Sequence, residues 1–228
     1  MYPAIKRAID FLVSLIALLI LAVPGLIIIV ALRLTGEGEV FYRQKRVGYR
    51  NKNFGIWKFA TMLKDSPNLG TGSLTVRGDP RVTSVGRVLR ATKINELPQL
   101  INVLTGEMSF VGPRPQMQVD FDIYPTKVRD TIYSVPPGVT GIGSIVFRDE
   151  ELLLSQPGVD PREFYEKKIA PYKGALEMWY LEHRSLTTDL RIMFLTVWVV
   201  FFPQSTIVFR TFRDLPAKPE WLSVRSAP

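Results

Sequence analysis

The sequence contains no cysteine and one histidine, His183. Without cysteine there is no disulfide framework, no thiolate zinc centre and no cysteine nucleophile; the redox compartment stays open. A single histidine excludes a multi-histidine metal site and argues against a Ser-His or Cys-His triad. Negative charge is the scarcer sign, with 21 Asp+Glu against 29 Lys+Arg and a formal charge of +8. Internal repeats are missing. What is present is 228 residues, 46% of them hydrophobic, enough for one domain with its own core and too apolar for a disordered chain. Positive charge on so apolar a chain points to an anionic membrane surface or a phosphate-rich ligand. The alternation of aromatic and basic residues that marks single-strand binders is absent, so no nucleic-acid partner is expected.

The apolar residues are concentrated. Residues 11–32 carry no charge, and Ser14 is their only hydroxyl. As one straight helix they would measure roughly 33 Å, enough for a hydrocarbon core of about 30 Å. Pro24-Gly25 interrupts the run, where proline removes a backbone donor and crowds the carbonyl four residues back. The arm before the break is roughly 20 Å long, too short to span. A kinked spanning helix and a re-entrant hairpin both remain open. Lys6 and Arg7 precede the run and Arg33, Arg43, Lys45 and Arg46 follow it, which puts the bulk of the chain on the cytoplasmic side in either case. A second apolar stretch, 192–202, is too short to span and reads as an interfacial or a buried helix.

Between these stretches, residues 40–46 and 54–60 read as short strands joined by a turn. Residues 66–80, 108–116 and 133–143, rich in Gly and Pro, read as loops. Residues 81–91 and 96–104 read as short helices, and 160–189 as mostly helical with a break before Pro171. The tail from Asp214 reads as irregular. Arg-rich loops stiffened by Pro and Gly are suited to binding phosphate.

Residues 79–115 are the most informative stretch. In Asn95-Glu96-Leu97-Pro98, Asn is a preferred N-cap and Pro98 falls in the first turn. The Glu96 carboxylate would then sit at the positive end of a helix, placed to hold a hard cation against a phosphate. Arg87, Arg90 and Lys93 come just before, and Arg114 follows between Pro113 and Pro115. Arginine suits bidentate contact with phosphate. An ordinary capped helix with solvated arginines accounts for the spacing equally simply.

Taken in order, these blocks carry a resemblance. Lys6-Arg7 and Asp10 precede the apolar run, with Pro24 at its centre. Phe41, Arg43-Gln44, Arg46 and Gly48 follow, then Lys58-Phe59, Thr61-Met62, Asp79, Arg81, Thr83, Gly86 and Arg90. Glu96-Leu97-Pro98-Gln99, Asn102-Val103, Gly106, Met108-Ser109 and Val111-Gly112-Pro113-Arg114-Pro115 complete the centre, and Pro137-Gly138, Thr140-Gly141, Ser185-Leu186 and Asp189 extend it. The chain resembles the bacterial sugar transferase family of monotopic phosphoglycosyl transferases over nearly its whole length.

The resemblance implies a mixed α/β, mostly helical fold. Residues 1–35 would form a re-entrant membrane helix–break–helix at Pro24 and 36–190 a compact cytoplasmic catalytic unit with short strands. Residues 191–228 would supply an interfacial amphipathic helix and an irregular tail. It implies transfer of a sugar 1-phosphate from a nucleotide-diphosphate sugar, usually a UDP-sugar, to undecaprenyl phosphate, with release of UMP, at the bacterial inner membrane. Magnesium is the implied cofactor, with Glu96 as its ligand. Catalytic roles fall on Asn95, Glu96, Arg90 and Lys58. Substrate binding falls on Arg114, Pro113, Arg87, Asp79, Arg81 and Gln99. Membrane lipids are implied partners, and a homodimer is compatible with the resemblance.

Two departures stand out. The family motif has an Asp-Glu pair whose Asp is the nucleophile, and here the pair is Asn95-Glu96. An amide is a very poor nucleophile. Another carboxylate such as Asp79 or Glu96 would then take its place, or transfer to the lipid phosphate would be direct. An engineered trap before chemistry, or an inactive chain that binds lipid phosphate or nucleotide sugar, are the other readings. The second departure is Ser144, where the family more often has Gln, followed by an unusual stretch at 145–151.

Overall fold

The computed structural model describes residues 1–35, 37–66, 69, 74–76 and 78–222. Part of the loop expected at 66–80 and the last six residues of the tail lie outside them. The fold is mixed α/β and mostly helical, with two small two-stranded sheets among the described residues.

The first apolar run forms α1 (Tyr2–Ile20) and α2 (Ala22–Arg33), which meet at Leu21 with a bend of 62°. Pro24 has no N–H to give the Ile20 carbonyl. The ladder resumes with Gly25 N–H bonding the Leu21 carbonyl at 2.8 Å, so the chain breaks three residues before the proline that causes it. Among the described residues no single helix is long and apolar enough to cross a membrane; the bent pair together passes that test of length and composition. Its faces are inverted relative to a soluble helix. Asp10 and Ser14 are buried at 5% and 0% exposure, whereas Leu19, Ile20 and Val23 are about 70% exposed.

Asp10 and the polar residues before it fasten α1 to the body. Arg7 donates from its two terminal nitrogens to the carbonyls of Val103 (2.6 Å) and Leu104 (2.7 Å). Both lie in the last turn of α4 (Gln99–Thr105), where the Val103 carbonyl also accepts the Gly106 N–H at 3.1 Å. Asp10 accepts the Phe110 N–H at 3.1 Å. Asp189 gathers Lys6 at 2.7 Å and the hydroxyls of Tyr2 (2.9 Å) and Tyr180 (2.8 Å).

An antiparallel hairpin of β1 (Phe41–Val47) and β2 (Asn53–Phe59) follows, in the register Tyr42↔Lys58, Gln44↔Ile56 and Arg46↔Phe54. Because side chains alternate along a strand, Arg46, Ile56 and Lys58 share one face. Ile56 buries with Val103 and Met108 beneath it. The Asn102 side chain straps the hairpin to α4 by accepting the Trp57 N–H (3.0 Å) and donating to the Gly55 carbonyl (2.8 Å). Next come α3 (Ser84–Ala91), whose N-cap Thr83 accepts from the Gly86 N–H, and α4. Then β3 (Ser109–Val111) pairs in parallel with β4 (Gly138–Thr140) across the short helices α5 (Gln118–Phe121) and α6 (Thr126–Ile132). The two backbones approach so closely that a Cβ on Gly138 would lie 2.2 Å from the Gly112 nitrogen, so glycine is required there.

The main core is helical. It draws on α7 (Ile142–Val146), α8 (Glu150–Leu154), α9 (Pro161–Phe164), α10 (Ala170–His183) and α11 (Leu186–Phe201), through Ile142, Leu153, Ile169, Leu176, Ile192 and Leu195. The break expected before Pro171 is instead a π turn over Tyr165–Ile169, which widens the backbone and lets the helix run on through the proline. The 192–202 stretch is the end of α11, with one face in the core and one face exposed. Ile192, Leu195 and Val199 are buried, while Phe194, Val197 and Phe201 are exposed. α12 (Ile207–Thr211) forms ahead of the tail, and within the tail Trp221 returns to pack on Phe147, Phe164 and Tyr172.

Candidate active site

Four segments meet around one carboxylate. Lys58 comes from β2, Glu96 from a 3-10 turn at Ile94–Glu96, Arg114 from the loop after β3, and Arg46 from β1. The 3-10 turn is set by Lys93, which takes the left-handed conformation at φ 60° and so ends α3's direction sharply. This corrects the capping expected of Asn95. The following helix begins at Gln99 with Pro98 as its N-cap, and it has only seven residues. Asn95 sits inside the 3-10 turn, buried at 6% exposure, and its Oδ1 has no hydrogen-bond partner.

Both cations converge on one atom of Glu96. Arg114 Nη2 reaches Oε1 at 2.9 Å and Lys58 Nζ reaches it at 3.5 Å. No hydrogen bond to Oε2 occurs among the described residues. Burial pushes the Glu96 carboxyl up, but Arg114 and then Lys58 more than offset it and hold it well below the usual carboxylate range. Glu96 in turn keeps Arg114 firmly charged. Lys58 moves the other way: burial pushes it down to about 7, helped by Arg46, Arg114 and Arg90, with Glu96 alone opposing among its main neighbours. Burial also lowers Arg46. The result is a cluster with more cationic than anionic groups, one fixed carboxylate and one lysine whose proton is loosely held. Such a cluster suits a ligand with several phosphate charges.

Arg114 is held at both backbone groups. Its N–H donates to Glu177 Oε1 at 3.3 Å, and its carbonyl accepts from the Tyr133 hydroxyl at 2.8 Å. The Pro113 carbonyl accepts the Gly138 N–H at 2.9 Å. Arg90 lies at the edge of the cluster, within electrostatic reach of Lys58, and its guanidinium is taken by Glu151 of α8 at 2.7 Å. Gln99 is buried on the first turn of α4.

Three expected site residues fall elsewhere. Arg87 is exposed on α3 and bonds Ser84 at 3.2 Å. Asp79 and Arg81 are almost fully buried and paired with each other at 2.6 Å, with the Arg81 guanidinium also donating to the carbonyls of Ser66, Leu69 and Leu74. Their charge is consumed in holding a loop. Arg46, Glu177 and Glu151 were not among the expected site residues. Arg46 had a signal, as a charged residue in phase with Lys58 across the hairpin. Glu177 had a weaker one, as an acid inside an otherwise apolar helical stretch.

A family model described as bacterial sugar transferase matches residues 1–203. The chain is 35% identical over 197 residues to the undecaprenyl-phosphate glucose phosphotransferase of Komagataeibacter xylinus, a match covering 84% of this chain and 35% of that protein. It is 33% identical over 198 residues to the UDP-N-acetylgalactosamine-undecaprenyl-phosphate N-acetylgalactosaminephosphotransferase of Aeromonas hydrophila, covering 86% of this chain and 43% of that one. It is 34% identical over 198 residues to the exopolysaccharide production protein PSS of Rhizobium leguminosarum bv. phaseoli, covering 85% and 93%. The chain thus spans less than half the length of the first two and nearly all of the third.

Proposed function

The chain belongs to the bacterial sugar transferase family, and from that premise we propose that it moves a sugar 1-phosphate from a UDP-sugar to undecaprenyl phosphate, releasing UMP. The observation that carries this reading is the convergence of Lys58 and Arg114 on Glu96, with Arg46 and Arg90 nearby. Two phosphate-bearing substrates need several cations and a fixed point to register them.

A direct displacement fits the residues present. An oxygen of the lipid phosphate forms a bond to the β-phosphorus of the donor as the bond from that phosphorus to the bridging oxygen breaks, and the electron pair leaves with UMP. Asn95 is an amide and makes no acyl-phosphate. Glu96 is held ionised by two cations, which suits it to orient Lys58 and Arg114 rather than to attack. Those two, with Arg90 once Glu151 releases it, neutralise charge as the phosphoryl group passes.

The site also suits magnesium. This ion commonly binds through one or two carboxylates and completes its shell with substrate phosphate and water. Glu96 Oε2, which accepts no bond among the described residues, and Asn95 Oδ1 are the oxygens that would hold it. Among the described residues no group of three or more His, Asp or Glu offers an all-protein alternative. When bound, the ion would screen the donor diphosphate.

The bent α1–α2 pair supports a re-entrant anchor that enters and leaves the inner membrane by its cytoplasmic face. Residues 36–190 would then form the catalytic unit and the exposed stripe of α11 would rest on lipid. Incubating the membrane-embedded protein with undecaprenyl phosphate, magnesium and either UDP-glucose or UDP-N-acetylgalactosamine should release UMP. No release across a wider panel of nucleotide sugars removes the enzyme reading. Asn95 favours one second reading, a binder without turnover. That reading gains if the wild type is inert and Asn95→Asp turns over.

A further inference from the structure

Glu177 is a buried carboxylate that the transfer chemistry leaves without a task. It is 1% exposed on α10. One oxygen accepts the Arg114 N–H at 3.3 Å, and the other has no hydrogen-bond partner. A half-satisfied acid inside a helical core is destabilising, and an apolar side chain of similar volume would remove that cost at the loss of a single long bond to the Arg114 amide. The burial pushes Glu177 up to about 7, against the pull of the Arg114 N–H and of Lys173. Lys173, one turn earlier on the same helix, offers little relief because its ammonium is committed to Glu150 at 2.6 Å.

The surroundings are shaped around this carboxylate. A Cβ on Gly143 would come within 2.4 Å of Glu177 Oε1. Its hydrogen-bonding partner is equally specific. Pro113 and Pro115 have no N–H, so the Arg114 amide is the only backbone donor in three consecutive residues. With Tyr133 on the Arg114 carbonyl and Glu177 on its amide, the loop has both of its polar handles fixed. The guanidinium is then left to face Glu96.

We propose that Glu177 is a positioning residue for the transfer: it pins the backbone of Arg114 so that the guanidinium stays aligned with Glu96 and meets the transferring phosphoryl group. This rests on the transferase reading above. The carboxylate touches no substrate and acts through Arg114.

The test uses the full chain in detergent micelles or nanodiscs, with Glu177→Leu, Glu177→Gln and Gly143→Ala beside the wild type. UMP release is followed with UDP-glucose and UDP-N-acetylgalactosamine as donors. Glu177→Leu is expected to melt at or above the wild-type temperature and yet to lose about 100-fold in kcat, with KM for the donor changed less than about threefold. Glu177→Gln keeps an acceptor for the Arg114 amide and is expected to recover to within about fivefold of wild type. Gly143→Ala crowds the carboxylate without removing it, and should lose kcat in the same sense. Full activity in Glu177→Leu overturns the proposal, as does a Gln variant no better than the Leu one. If Glu177→Leu does not fold, Gly143→Ala decides: activity within about threefold of wild type overturns the proposal. A wild type that releases no UMP from any donor is a failure of the transferase reading instead. Inorganic pyrophosphate binding by calorimetry then judges Glu177, since Glu177→Leu should bind at least about tenfold more weakly and equal binding overturns its role.

Discussion

Glu96→Gln should silence the site by discharging a lysine it does not replace. Lys58 has a pKa near 7 because burial, Arg46, Arg114 and Arg90 push its proton off, while Glu96 at 3.5 Å holds it on. At an effective dielectric of about 20, removing a unit charge at that distance withdraws about 5 kcal/mol of attraction, or roughly 3.5 pK units. Lys58 would then be neutral across the whole working range of pH. The cluster becomes no less positive, since the carboxylate lost carries at least as much charge as the part of the ammonium lost with it, so weaker long-range attraction of an anion is not an alternative explanation. What disappears is a charged donor at one point, and such losses cost about 100-fold to 1,000-fold in turnover. The assay is kcat/KM for UMP release between pH 6 and 9 in wild type, Glu96→Gln, Lys58→Met and the double variant. The wild type should lose activity as pH rises through about 7, where Lys58 gives up its proton. Both single variants should be low and lack that limb, and the double should be little worse than either, because the two residues act as a unit. Titration of the acceptor phosphate is common to all four proteins and cancels in the ratios. A Glu96→Gln protein that keeps the limb near 7, or losses that multiply in the double variant, would refute the coupling.

Four further outcomes follow from the same coordinates. The folded Lys58 value lies below its unfolded value of 10.5, so above about 7 the unfolded chain holds a proton that the folded chain has released. Stability of the metal-free protein should therefore rise between pH 7 and 9, by up to about 1.4 kcal/mol per unit, and Lys58→Met should flatten that slope in denaturant titrations. Asp79→Asn breaks a buried pair and should cost about 3–5 kcal/mol in thermal or denaturant unfolding while leaving kcat/KM of the folded fraction unchanged; a selective loss of kcat/KM would return Asp79 to the site. Arg7→Met removes two charged hydrogen bonds to the end of α4 and should lower stability by about 2–4 kcal/mol, read by the same melts; an unchanged melt contradicts the fastening role. Pro24→Ala restores a donor to the Ile20 carbonyl and should straighten the bend. Because the chain has no cysteine, single cysteines placed at Met1 and Leu34 can be labelled from one side of sealed vesicles. Both should react from the same side in the parent, and fewer molecules should show this in Pro24→Ala.

The sequence showed those features that depend on local chemistry. Pro24 marked the bend because a missing N–H acts within one turn, and two short segments around a turn marked the hairpin within a residue of its ends. The Glu96, Arg114 and Lys58 trio was legible as chemistry-bearing types in family order, though not as a contact, since 38 residues separate Lys58 from Glu96. Asn95 was misread because Asn before Glu-Leu-Pro is locally a good cap. The left-handed Lys93 turned the chain two residues earlier and left the helix to begin at Gln99. Asp79 and Arg81 look like substrate ligands in a sequence, and only packing shows their charges spent on each other and on backbone carbonyls. Glu177 stood out in the sequence only as an acid in an apolar helical stretch, because its partner is a single amide 63 residues away.

The fastening of α1 by Arg7, Asp10 and Lys6 has a bearing on carrier choice. On the anchor proposed above, a hydrophobic foot bolted to the chemical floor at three places would not bob against it, and the height of the reaction above the acyl chains would be set by the polypeptide. The isoprenoid of that proposal would then be gauged at its phosphate end alone. A shorter or longer polyprenyl tail should serve as well as undecaprenol, provided it still dissolves in the bilayer.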